Sequence, residues 1–113
     1  MLINTSELKD AALDWAVAVA STYPVVLGYN NRVTLPHLRS EPEWFQPTID
    51  WRQAGQIIER EWESICTHMD VRDTAGTPIW MKLKGRELLT FFMRCFVASK
   101  LGEAVDVPKE LCK

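Results

Sequence analysis

Cys66, His68 and Asp70 alternate in ESICTHMDV (63–71), so a β-strand would turn three metal-ligand types to one face. A zinc site needs four protein ligands, or three and a water, at matched spacing. His37 and Cys112 bear no spacing relation to the trio, so no metal and no cofactor are expected. Nucleophilic catalysis would need a Cys or Ser beside a base and an orienting acid. His37 sits in a proline-rich stretch, His68 on a candidate strand, and Cys95 between Phe92 and Phe96 in an apolar helix pattern. Gly55 stands alone and Gly85 acts as a breaker, so no glycine-rich phosphate cradle is present. These residues argue against an enzyme.

Binding chemistry is better represented. Asp50 and Trp51 open IDWRQAGQIIERE (49–61), which also holds Gln53, Gly55 and Arg60. Trp44 and Phe45 lie in a proline-rich segment, and Trp80 stands near Lys82 and Lys84. Aromatic rings beside Arg or Lys suit anchoring a protein partner or stacking on a base. The competing reading is that a small domain uses its tryptophans to fill a thin core. Arg94, inside the most apolar helix pattern, needs a partner; an ion pair is the first expectation and an anion clamp the second. Glu59, Glu61 and Glu63 read as a solvated face, with Arg60 expected to reach Asp50 or Glu87.

The elements that must position these groups follow from periodicity. Leu8, Ala12, Trp15, Ala16 and Val19 predict a core-facing helix over 6–21, with Asn4, Thr5 and Ser6 as N-cap candidates. PVVLGYNNRVTL (24–35) predicts a small hairpin turning at Asn30-Asn31, because Asn tolerates left-handed backbone. Pro36, Pro42 and Pro47 make 36–48 a loop. A helix capped by Asp50 follows.

Two readings compete from Trp62 onward. Trp51, Ala54, Ile58, Trp62, Ile65 and Met69 keep helical spacing, but ESICTHMDV can also pair with TPIWMKLK (77–84) across RDTAGT. The hairpin is favoured, because the alternation in TPIWMKLK needs a strand partner; it would display Trp80 among lysines. RELLTFFMRCFVASKL (86–101) predicts the central core helix, closed by Gly102. Residues 103–113 form a tail with a short strand near Val105–Val107. The expected architecture is α+β, a single domain over 1–113 in the order α-β-β-(loop)-α-β-β-α, two long helices on a small antiparallel sheet.

Composition bounds the function. Thirteen basic and fifteen acidic residues give a net charge of −2, which offers no concentrated basic face for duplex nucleic acid. No run of 18 apolar residues is present, so a membrane partner is not expected. The start MLINTSELKD lacks a basic stretch followed by an apolar one, and three cysteines without a CxxC pair suit a reducing compartment. The expected location is the cytoplasm. Five Trp in 113 residues are the compositional oddity.

Three islands, ALDWAVA (12–18), DWRQAGQIIERE (50–61) and MRCFVASKLGEAVDVP (93–108), together resemble the NinX-like proteins of tailed bacteriophages and prophages. The family's central island usually has Ala, Gly and Pro where this chain has Arg52, Ala54 and Gln56. The resemblance implies a non-structural accessory protein in the cytoplasm of an infected bacterium and supplies no catalytic residue. Phage accessory genes of this kind often modulate the host or counter its defences.

Residues and resemblance together predict a non-enzymatic accessory protein that binds a host factor, first a protein, and modulates host physiology or defence. The alternative is a binder of a small, nucleotide-like ligand around Asp50, Trp51, Gln53, Arg60 and Arg94, with a homo-oligomer compatible with either reading. A nucleic-acid-associated accessory protein is a third reading that the acidic balance disfavours.

Overall fold

The computed structural model describes residues 1–35 and 43–112. His37 and most of the proline-rich segment lie outside the described residues.

The fold is α+β. Along the chain run β1 (Leu2–Asn4), α1 (Asp10–Ala20), β2 (Val26–Leu27), β3 (Val33–Leu35), β4 (Glu43–Trp44), α2 (Trp51–Arg60), α3 (Trp62–Cys66), α4 (Arg86–Leu101) and β5 (Ala104–Asp106). β2, β3 and β4 form one antiparallel sheet; β1 and β5 form a second, with Ile3 opposite Val105. β1 and β4 are short strands with no alternation in the sequence to announce them.

α1 and α4 pack against each other as the centre of the core. Leu13, Ala16 and Val17 of α1 and Leu89, Met93, Phe96 and Val97 of α4 are fully buried. The buried face of α1 also includes Ala12 and Ala20, whereas Trp15 is half-buried and Val19 exposed. The expected stripe is therefore rotated: Leu13 and Val17 take fully buried positions, and Trp15 packs at the margin of the core. α1 also begins later than expected. Thr5 does not cap it: the Thr5 hydroxyl donates to Gly102 O at 2.6 Å and its N–H to Glu103 O at 2.7 Å. The residues read as caps thus fasten the chain's start to the end of α4.

The first hairpin forms as the Asn pair dictates. Asn30 and Asn31 hold φ of +57° and +58°, and Gly28 N donates to Arg32 O at 2.7 Å. Gly28 has a packing reason as well, since a Cβ there would stand 2.6 Å from Thr34 Oγ1.

The second expected hairpin does not form, so the β-β pair between the central and last helices is corrected to a helix and a turn. Residues 62–66 continue helically past Glu61, with Ile65 N donating to Glu61 O at 3.0 Å, and Ile65 is fully buried in the core. The turn itself is present: Gly76 has φ +84°, and Asp73 Oδ1 accepts from Ala75 N and Thr77 N, both at 2.9 Å. Pairing stops at the isolated bridge Arg72–Pro78, and the chain enters a 3-10 turn at Ile79–Lys82. Pro78 carries no N–H to extend a ladder.

The segment read as a tail folds back: β5 pairs with β1, and Val107 is buried.

Candidate functional site

Asp50 caps α2 as its position predicts, accepting from Arg52 N at 2.9 Å and Gln53 N at 3.3 Å. One turn in, Gln53 reaches back to the preceding segment. Its Oε1 accepts from Gln46 N at 2.7 Å and its Nε2 donates to Trp44 O at 2.9 Å. α2 therefore holds the strand and turn bearing Trp44 and Phe45. The two aromatics part company there, with Phe45 in the core at 5% exposure and Trp44 at 51%. The Arg32 guanidinium lies 3.8 Å over the Trp44 ring.

Behind Trp44 lies a pocket of about 290 Å³, lined among others by Asp14, Arg32, Trp44, Thr48 and Arg86. Asp14, which composition and periodicity did not single out, is a buried carboxyl on α1. It accepts from Thr48 N at 3.0 Å and Thr48 Oγ1 at 3.2 Å. Burial pushes its pKa from 3.8 to about 7, against the two Thr48 hydrogen bonds, with Asp10 adding to the rise and Arg86 opposing it. The sequence signal that could have found it was a charged residue on the buried side of an alanine-rich helix.

Trp51 is 50% exposed, Trp62 47% and Trp80 37%. Trp62 meets Phe92 edge to face at 6.3 Å between ring centroids. Trp80 stands on the 3-10 turn rather than on a strand, and Lys82 beside it is engaged by Asp73. That contact, with the Thr77 N–H bond next in weight, holds the Asp73 carboxyl below its ordinary range. Gly55 has no close-packing reason among the described residues: a Cβ there would meet none of their atoms within 4 Å.

Arg60 does not reach Asp50 or Glu87. Its Nη1 donates to Tyr23 Oη at 2.7 Å and its Nη2 to Ser21 Oγ at 3.3 Å, tying α2 to the end of α1. Arg94 does not form the expected ion pair either; its Nε donates to Leu8 O at 2.6 Å. It lines a larger groove of about 820 Å³ with Asn4, Ser6, His68, Ile79 and Phe91, among others. Neither Asp50, Trp51, Gln53 nor Arg60 lines that groove, so the structure does not gather the residues of the small-ligand reading into one site.

Cys66, His68 and Asp70 do not share a strand face. Asp70 pairs with Arg72 at 2.9 Å, and His68 Nδ1 lies 2.9 Å from Thr67 Oγ1. Among the described residues, no three His, Cys, Asp or Glu side chains stand together as a metal site. The buried Cys95 thiol donates to His68 O at 3.3 Å, and burial pushes its pKa up to about 11. No helix among the described residues is long and apolar enough to cross a membrane.

No curated protein and no solved structure matches the chain. A family model described as bacteriophage P22 NinX does match it, over residues 4–100, a span that takes in α1, the Asp50-capped α2 and nearly all of α4. The chain belongs to the bacteriophage P22 NinX family.

Proposed function

We propose that the protein is a non-enzymatic phage accessory protein that binds a host protein in the bacterial cytoplasm and so modulates host physiology or defence. The supporting observation is that Trp44, Trp51, Trp62 and Trp80 are each 37–51% exposed. Large half-buried rings held on a rigid scaffold are the side chains that carry most binding energy at protein interfaces. Trp44 is braced by Gln53 and Arg32, and Trp62 by Phe92, so little ordering entropy is lost on contact. Cys95, whose burial raises its pKa, is not suited to act as a nucleophile. Trp44→Ala and Trp80→Ala should each abolish capture of the partner from host lysate while leaving the melting temperature unchanged. Unfolding of both variants would return these rings to the core and remove the basis of the reading.

Binding of a small, nucleotide-like ligand is a second reading, supported by the exposed Trp51 ring at the start of α2, on which a base could stack. A thermal shift of the intact protein against a nucleotide panel tests it, since a ligand at 100 times its dissociation constant stabilises by about 2.7 kcal/mol.

A further inference from the structure

We infer that the groove floored by α4 is a binding site for a monocarboxylate carried on an apolar body, with Arg94 as its clamp. The site is independent of the exposed tryptophans, none of which lines it.

Phe91, Arg94, Cys95 and Ala98 recur at i, i+3, i+4 and i+7, so one face of α4 forms the floor. The chain's start at Asn4–Ser6 makes one wall, and Val71 with Ile79 makes the other. At about 820 Å³ the space is in the range of small-ligand sites.

Arg94 is the arginine whose charge is unpaired among the described residues. Among the described arginines, Arg52 pairs with Asp50, Arg60 bonds Tyr23, Arg72 pairs with Asp70, Arg86 lies 3.7 Å from Asp10, and Arg32 stacks on Trp44. Arg94 has neither carboxylate nor aromatic partner among the described residues. Its Nε is spent on Leu8 O, which fixes the guanidinium and leaves both terminal nitrogens to form a two-pronged donor. Partial burial pulls its pKa down.

The lining also narrows the anion. Among the described residues Glu103 is the acidic side chain lining the groove, and it disfavours a multiply charged phosphate more than a single charge. Val71, Ile79, Phe91 and Ala98 offer apolar contact to whatever carries the charge. A free organic acid and the C-terminal carboxylate of a peptide with apolar last residues share this chemistry.

The test is an NMR titration of the isotope-labelled full chain with 3-phenylpropanoate, its neutral amide, inorganic phosphate, and a Leu-Phe-ending tetrapeptide with free or amidated C-terminus. The acids should bind about tenfold or more tighter than their amides, as loss of a charged hydrogen-bond pair implies. Shifts should centre on residues 68, 71, 79, 91, 94 and 98. Arg94→Gln should erase the acid-over-amide preference, and Ala98→Phe, which leaves Arg94 in place, should block both acids. Equal affinity of free acid and peptide assigns a small organic acid; a tenfold preference for the peptide assigns a chain terminus. Acid and amide binding alike, phosphate competing as well as the acids, or no binding at millimolar concentration would overturn the inference.

Discussion

Asp14 on α1 and Thr48 just before α2 are joined twice, through the Thr48 N–H at 3.0 Å and its hydroxyl at 3.2 Å, both to one buried carboxyl. The link ties the central helix to the turn carrying Trp44 and Phe45, and it titrates. Because burial raises the folded pKa to about 7 from 3.8, the folded state holds a proton that the unfolded chain releases. Stability from this group is therefore full below about pH 4 and lost as pH rises through 7, at up to about 1.4 kcal/mol per pH unit. Urea midpoints across that window should fall with pH more steeply in the native protein than in Asp14→Asn. Identical slopes would show that Asp14 titrates normally.

Asp50→Ala should cost about 1 kcal/mol, since the side chain satisfies two N–H groups at the start of α2. Asp50→Asn should recover most of it. The denaturant midpoint should move with no change in slope; no shift for the alanine variant would mean the cap is not formed in solution.

Gly55→Ala should stabilise by about 0.5–1 kcal/mol. The position is inside α2, and among the described residues the added methyl meets nothing within 4 Å, so the helix-propensity gain remains. A lower melting temperature in the variant would reveal a neighbour against this face.

Gln53→Ala should destabilise by about 0.5–1.5 kcal/mol and loosen the segment it holds, because Gln46 N and Trp44 O both lose a partner. Amide hydrogen exchange at Gln46 should quicken while exchange in α4 stays slow. Unchanged protection at Gln46 would show that the segment holds itself.

The parts legible in the sequence were those set by local chemistry. α4 runs from Arg86 to Leu101 and ends at Gly102 with φ +86°, as its pattern and terminal glycine require. The Asn30-Asn31 turn and the Asp50 cap are equally local. Residues 62–84 misled because TPIWMKLK alternates like a strand, while the contact that decides the region, Ile65 against the core, is long-range. β1 was silent because three residues of Leu2–Asn4 gain strand structure only by meeting Ala104–Asp106. Of the candidate site residues, Gln53 and Trp44 proved to be coupled; Arg60 and Arg94 proved to serve different parts of the molecule.

By itself the sequence determined the family, the α+β class, the central helix and the caps and turns around it, because each rests on periodicity or on a side chain bonding its own neighbours. Tertiary structure alone decided which face of α1 is buried, that Trp44 and Trp51 stay half in solvent, and that Asp14 is buried beside Thr48. It also decided that Arg94 meets a carbonyl and lines a groove. Burial and charge pairing depend on residues distant in the chain, and no local pattern encodes them.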